Sequence, residues 1–158
     1  MTYFIRLPFL NDNVINEGEA RDKDVYFRQS YSDLPFSSRV IERFFKNELI
    51  TVIYCGVTSV DNQLIRFHNE KYSAAMSYQI ETHLADRTYQ YTTFLDNEKK
   101  GSFSYHFNER WDIVKEHSYD ANYNLVEYRE FICNSAGEVK RERVFFASSW
   151  VVNEETYD

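Results

Sequence analysis

At 158 residues the chain has the length of one domain and can bury a sizeable core without disulfide or metal staples. Aromatic residues make up 18% of it, with 13 Tyr and 13 Phe against 4 Gly and 2 Pro, which favours pleated sheet over a helix bundle. The net charge of −7 is uneven: residues 1–60 carry 8 acids and 7 bases, residues 61–158 carry 17 and 11, a balance that disfavours a nucleic-acid partner and favours a basic protein.

Cys55 and Cys133 are too few for a disulfide framework and form no C-x-x-C pair. The expectation is reduced, packed thiols in a cytoplasmic protein. Arg6 and Pro8 interrupt the first apolar run, so no signal peptide is expected. No stretch reaches 18 uninterrupted apolar residues, so no membrane partner is expected.

The first strand is predicted over residues 3–9, followed by a polar loop over 11–24 and a second short strand over 25–29. Pro35 closes a turn, and Ser37 or Ser38 can cap a helix. Val40, Ile41, Phe44, Phe45 and Leu49 recur at helical spacing, which predicts one amphipathic helix over residues 38–47. The β-branched run 49–57 reads as a strand buried on both faces. Asp61-Asn62 then turns the chain into a strand over 64–68.

From Ala75 onward the apolar residues alternate with polar ones. Met76, Tyr78, Ile80, Thr82 and Leu84 form one face and Ser77, Gln79, Glu81 and His83 the other; Tyr89 to Leu95 follow the same period. After a turn at 96–101, Phe103, Tyr105 and Phe107 alternate with Ser102, Ser104 and His106. Strands over 111–118, 125–132 and 139–146 continue the series. Trp150, Val151 and Val152 add a last strand before a loose tail over 153–158.

Residues 107–113, 119–125 and 133–139 share one pattern: a bulky residue or Cys, then Asn or Asp, three variable residues, a polar residue and an aliphatic one. Asn and Asp fold back onto their own backbone, and Gly137 tolerates positive φ, so each unit reads as a strand end plus a hairpin turn. Tyr119-Asp-Ala-Asn with Asn124-Leu125 resembles the YD-type repeats of Rhs and related polymorphic toxin proteins, over about residues 107–146. In general style the chain is also similar to bacterial immunity proteins that accompany such toxins. That resemblance implies a toxin domain as the basic partner.

The candidate chemistry is sparse. Glu81 and His83 share the expected wet face but lack a third metal ligand, and His68 with Glu70 repeats that spacing with the same deficit. Neither Cys55 nor Cys133 has a base at hand. Asp112, Glu116, Glu127, Glu130, Glu138 and Glu142 lie along adjacent predicted strands, interleaved with Lys115, Arg129, Arg141 and Arg143. Cross-strand charge pairing on an exposed face is the plain reading of that set. Tyr and Trp are enriched at interface hot spots, and this chain is rich in them.

These observations point to an α+β fold: a long, curled antiparallel meander, barrel-like if it closes, with one N-terminal amphipathic helix, all in a single domain. The expected function is non-catalytic inhibition of a basic protein, as by an immunity protein, with no cofactor and no metal. The expected contact residues are Trp111, Asp112, Glu116, Glu127, Tyr128 and Glu130. The alternatives are a lipocalin-like carrier of small molecules and a small enzyme using His83 and Glu81 on a curved sheet.

Overall fold

The computed structural model describes residues 1–9, 13–75, 77–148 and 152–157, the last stretch without the side chains of 152 and 153. Met76, expected at the head of an alternating strand, and Trp150 and Val151, expected to open the last one, lie outside the described residues.

In chain order the elements are β1 (Thr2–Phe4), β2 (Val14–Ile15), α1 (Glu17–Arg21), β3 (Val25–Leu34), β4 (Ser37–Phe45), β5 (Glu48–Cys55) and α2 (Asn62–Lys71). Then come β6 (Ser77–Ala85), β7 (Thr88–Leu95), β8 (Glu98–Phe107), β9 (Ile113–Asp120), β10 (Leu125–Cys133), β11 (Val139–Phe146) and β12 (Val152–Thr156). All twelve strands join one mostly antiparallel sheet, in the order β12-β11-β10-β9-β8-β7-β6-β5-β4-β3-β1-β2. The two ends of that order do not pair among the described residues, so the sheet does not close into a barrel. The α+β meander is as expected.

The chain packs as two compact units: Met1–Thr82 with Thr93–Glu98, and His83–Thr92 with Lys99–Asp158. In the first unit, β5 and β6 pair in parallel with α2 as the crossover between them. Asp61 begins that helix by accepting hydrogen bonds from the backbone N–H groups of Gln63 and Leu64, each at 2.9 Å. Leu64 and His68 are its buried residues, and Phe67 packs partly buried beside them. These three share one helix face, at spacings of three and four. The core they join includes Val40, Val52, Tyr54, Tyr72 and Tyr78. Each such side chain contributes about 1.5–3 kcal/mol by leaving water.

The helix expected over residues 38–47 is the strand β4, and the strand expected over 64–68 is helix α2. The first error has a clear physical cause. Val40 and Ile41 are both fully buried, and Glu42 is buried in an ion pair with Arg28. A strand covered on both faces shows no period of two, and its apolar residues then mimic helical spacing by chance. β-Branched Val and Ile side by side favour the strand, and the turn Lys46-Asn47, with φ of 48° and 66°, returns it as a tight hairpin. A short helix α1 lies in the expected loop, closed by a capping box between Asn16 and Glu19.

The second unit rests on the repeated hairpin. In all three copies an Asn or Asp oxygen accepts two backbone N–H groups, from the residues two and four positions later. Asn108 accepts from Arg110 and Asp112, Asp120 from Asn122 and Asn124, and Asn134 from Ala136 and Glu138, at 2.8–3.0 Å. The residue before the last position takes positive φ each time: Trp111 63°, Tyr123 63° and Gly137 83°. The flanking pairs Phe107↔Ile113, Tyr119↔Leu125 and Cys133↔Val139 then start each ladder, and a register shift follows each pair.

Two expectations for strand phase change. On β8 it is Ser102 and Ser104 that are buried, at 0% and 3% exposure, while Phe103 is exposed. Each serine sits opposite a large ring, Ser102 across from Tyr119 and Ser104 across from His117, so a small polar residue fills a packed position. The tail expected to be loose after residue 152 forms β12, whose Glu154 pairs with Arg141 at 3.0 Å and Arg143 at 3.3 Å.

Candidate functional site

Strands β9, β10 and β11 contain no buried residue. Every position on both sides is half-buried or exposed, so among the described residues no second layer covers either face. Residues opposite one another across a ladder share a face, which lets the register sort the side chains.

One face carries a stack of rings. His117 lies over Tyr128 with centroids 4.7 Å apart, and Tyr128 over Phe145 at 5.3 Å. Tyr119 extends the stack at 6.3 Å and His106 meets His117 edge-on at 5.1 Å. The next row is charged: Lys115 faces Glu130, Glu130 faces Arg143, and Arg143 faces Glu154. The Tyr128 hydroxyl donates to Glu130, and burial plus that carboxylate push the phenol up to about 12.

The other face is acidic. Its central row runs Tyr105, Glu116, Arg129 and Val144. Arg129 donates from Nε to Glu127 and from Nη1 to Glu142 at 2.9 Å. Glu142 stands directly opposite Glu155, and the Tyr157 hydroxyl lies 3.0 Å from one carboxylate and 2.9 Å from the other. Like charges directly opposite destabilise a sheet, and a single hydroxyl proton cannot serve both. Burial raises the Glu116 carboxyl above its usual range; Arg129 opposes this, and Glu127 and Glu142 reinforce it. Phe131 lies opposite Glu142 and Phe146 opposite Glu127, so aromatic rings share this face with the carboxylates.

The six residues expected to form one contact surface therefore fall in three places. Glu116 and Glu127 lie on the acidic face, whereas Tyr128 and Glu130 lie on the ring face. Trp111 occupies the left-handed turn position, tilted against Phe107 at 5.9 Å, with the Arg87 guanidinium 5.8 Å from its ring centroid. Asp112 is 6% exposed, and this corrects its placement on a solvent-facing strand. It accepts from Asn108 Nδ2 at 3.1 Å and pairs with Arg110 at 3.1 Å. Arg110 also donates to the carbonyls of Ser135 at 2.5 Å and Asn134 at 2.8 Å, tying the first turn to the third. Glu142 and Arg129, read from the sequence as cross-strand charge pairs, and Glu155, read as loose tail, join Glu116 and Glu127 on the acidic face.

Glu127 and Tyr128 are adjacent on β10 and point to opposite faces, and a bulge decides which of them Glu116 joins. Tyr119 pairs with Leu125, but Ser118 pairs with Glu127, leaving Val126 unmatched. Without that extra residue Glu116 would face Tyr128. With it, Glu116 faces Arg129.

The other chemistry reads as packing. His68 Nε2 donates to the Ala75 carbonyl at 2.6 Å, which leaves Nδ1 to accept from Tyr54 at 2.9 Å. Burial holds this imidazole neutral by lowering its pKa and pushes the Tyr54 phenol far up. Glu81, expected on a wet face, is 5% exposed and 3.8 Å from Arg39. His83 is exposed and stacked on Tyr89 at 4.8 Å. Neither lines the open hollow of about 520 Å3 between the β3–β4 turn and the start of α2, or the smaller one of about 220 Å3 beside His68. Burial raises both thiols, Cys55 strongly, so neither offers a ready thiolate. Among the described residues no group of three or more His, Cys, Asp or Glu could hold a metal ion, and no helix is long and apolar enough to cross a membrane.

The chain matches no protein-family model and no curated protein sequence.

Proposed function

We propose that the protein is a non-catalytic inhibitor that docks a basic protein partner, in the manner of an immunity protein covering a toxin, and that docking uses the acidic face of β9–β12. The observation that carries this reading is the pair Glu127 and Glu142 gathered around the Arg129 guanidinium, with Glu142 set opposite Glu155 on the same face. A like-charge pair that costs stability is retained where a binding role repays it. Phe131 and Phe146 on the same face supply apolar contact area, and a carboxylate surface steers a cationic partner.

The test is capture of partners by the tagged protein from the cells that make it, in parallel with Glu127→Lys/Glu142→Lys. The expected result is a basic partner retained at low salt, released as salt rises, and lost by the double variant while its circular dichroism is unchanged. A partner held equally by both proteins contradicts the assignment of the face.

A further inference from the structure

On the ring face, His117 sits at the centre of the stack, with Tyr128 on one side, Tyr119 beside it and His106 against its edge. Its Nδ1 atom is buried and has no hydrogen-bond partner. A neutral imidazole tolerates this as an empty acceptor. An imidazolium must place an N–H there, buried and without an acceptor, which is a far more costly state.

The neighbouring charges decide the sign. From β8, His106 meets the His117 ring, and its own Nδ1 lies 3.2 Å from the Thr88 hydroxyl. On β9 itself, Lys115 stands two residues away in the charged row. From β10, Glu130 belongs to the same row but is engaged by the Tyr128 hydroxyl and faces Lys115 and Arg143. From β11, Arg143 adds a cation, paired with Glu154 of β12. The rings of Tyr128 and Tyr119 favour a cation above them but offer Nδ1 no acceptor. Lys115 and the second histidine therefore oppose a charge on His117, and the one nearby carboxylate is already shared.

We infer that His117 and His106 form a proton-operated latch: neutral, they hold β8, β9 and β10 together through the ring stack, and protonation of His117 opens it. Burial, with His106 and Lys115 adding to it, keeps the His117 pKa below its ordinary value, so the latch closes above about pH 6.5 and opens as pH falls through the lower folded value. His106 shifts the same way, through burial and Lys115. The latch holds the strands that carry Glu116, Arg129 and Glu127, but its operation needs no partner and stands apart from the docking reading.

The test is amide hydrogen exchange of the whole protein at pH 7.5 and pH 5.5, corrected for intrinsic rates, read over β9 and β10. The expected result is a loss of protection of about threefold or more at pH 5.5 in the natural protein, and no such loss in His117→Phe, which keeps a ring in the stack. The His117 Cε1 proton, followed by NMR, should titrate below the ordinary histidine value. Equal loss of protection in both proteins, or titration of His117 at or above the ordinary value, would overturn the latch. If His117→Phe fails to fold, the NMR titration of the natural protein decides alone.

Discussion

Val52 and Ile53 are neighbours on β5, point to opposite faces, and are 0% and 1% exposed. Arg129 and Glu130 are neighbours on β10, also point to opposite faces, and both stay half-exposed. The first unit thus holds its strands between layers, with α2 over one side. The second holds β9–β11 by what lies within the sheet: ring stacks, charge rows and three copies of one turn. Layered burial scales with apolar area, whereas in-plane pairs contribute about 0.2–1 kcal/mol each. A sheet of the second kind leaves two faces for other work.

That contrast breaks most readily at a core residue. Leu64→Ala should lower stability by about 2–5 kcal/mol through the cavity it leaves, and Phe145→Ala in the ring stack by less than half as much. Chemical denaturation of both variants checks this, and equal losses would erase the difference between the units. The turns sharpen it. Gly137 has φ of 83°, and an added Cβ would meet Asp112 Oδ1 at 2.7 Å. Gly137→Ala should therefore cost more than about 1 kcal/mol, and Tyr123→Gly at the equivalent exposed position should gain up to about 1 kcal/mol, both read as shifts in Tm.

Arg129→Gln removes the cation that Glu127 and Glu142 share, at a cost of about 1–2 kcal/mol. A urea series at neutral pH measures it. The smallest effect belongs to His68. Its folded pKa lies below the unfolded one, so its contribution is fully present above the unfolded value near 6.5 and declines as pH falls through the folded value. Exchange of α2 and β5 amides between pH 7 and pH 5 should follow that direction, and rising protection in acid would reverse the assignment.

Much of this contrast is legible in the chain itself. β11 occupies the predicted residues 139–146, because its turn signal Asn134 to Gly137 and its β-branched start are both local. The three turns follow from the spacing of Asn108, Asp120 and Asn134, which bond to backbone within reach of their own side chains. Failures came where distant packing overrides local pattern. Val40 and Ile41 are apolar on both sides of a covered strand, and Leu64, Phe67 and His68 make only two turns of a mostly polar helix. The contact surface failed for a subtler reason. Adjacent Glu127 and Tyr128 cannot share one face, and the bulge at Val126 shifts the count by one, turning Glu116 from Tyr128 to Arg129.

The central claim is that β9–β11 form an uncovered sheet. NMR signal loss from a soluble paramagnetic agent, measured on side-chain protons, tests it most directly. Val144 and Phe131 on one face, and Phe145 and Ile132 on the other, should all lose signal, while Val52 and Ile53 in β5 keep theirs. Protection of either set in β10 and β11 would mean that a second layer covers that face, and would contradict the account.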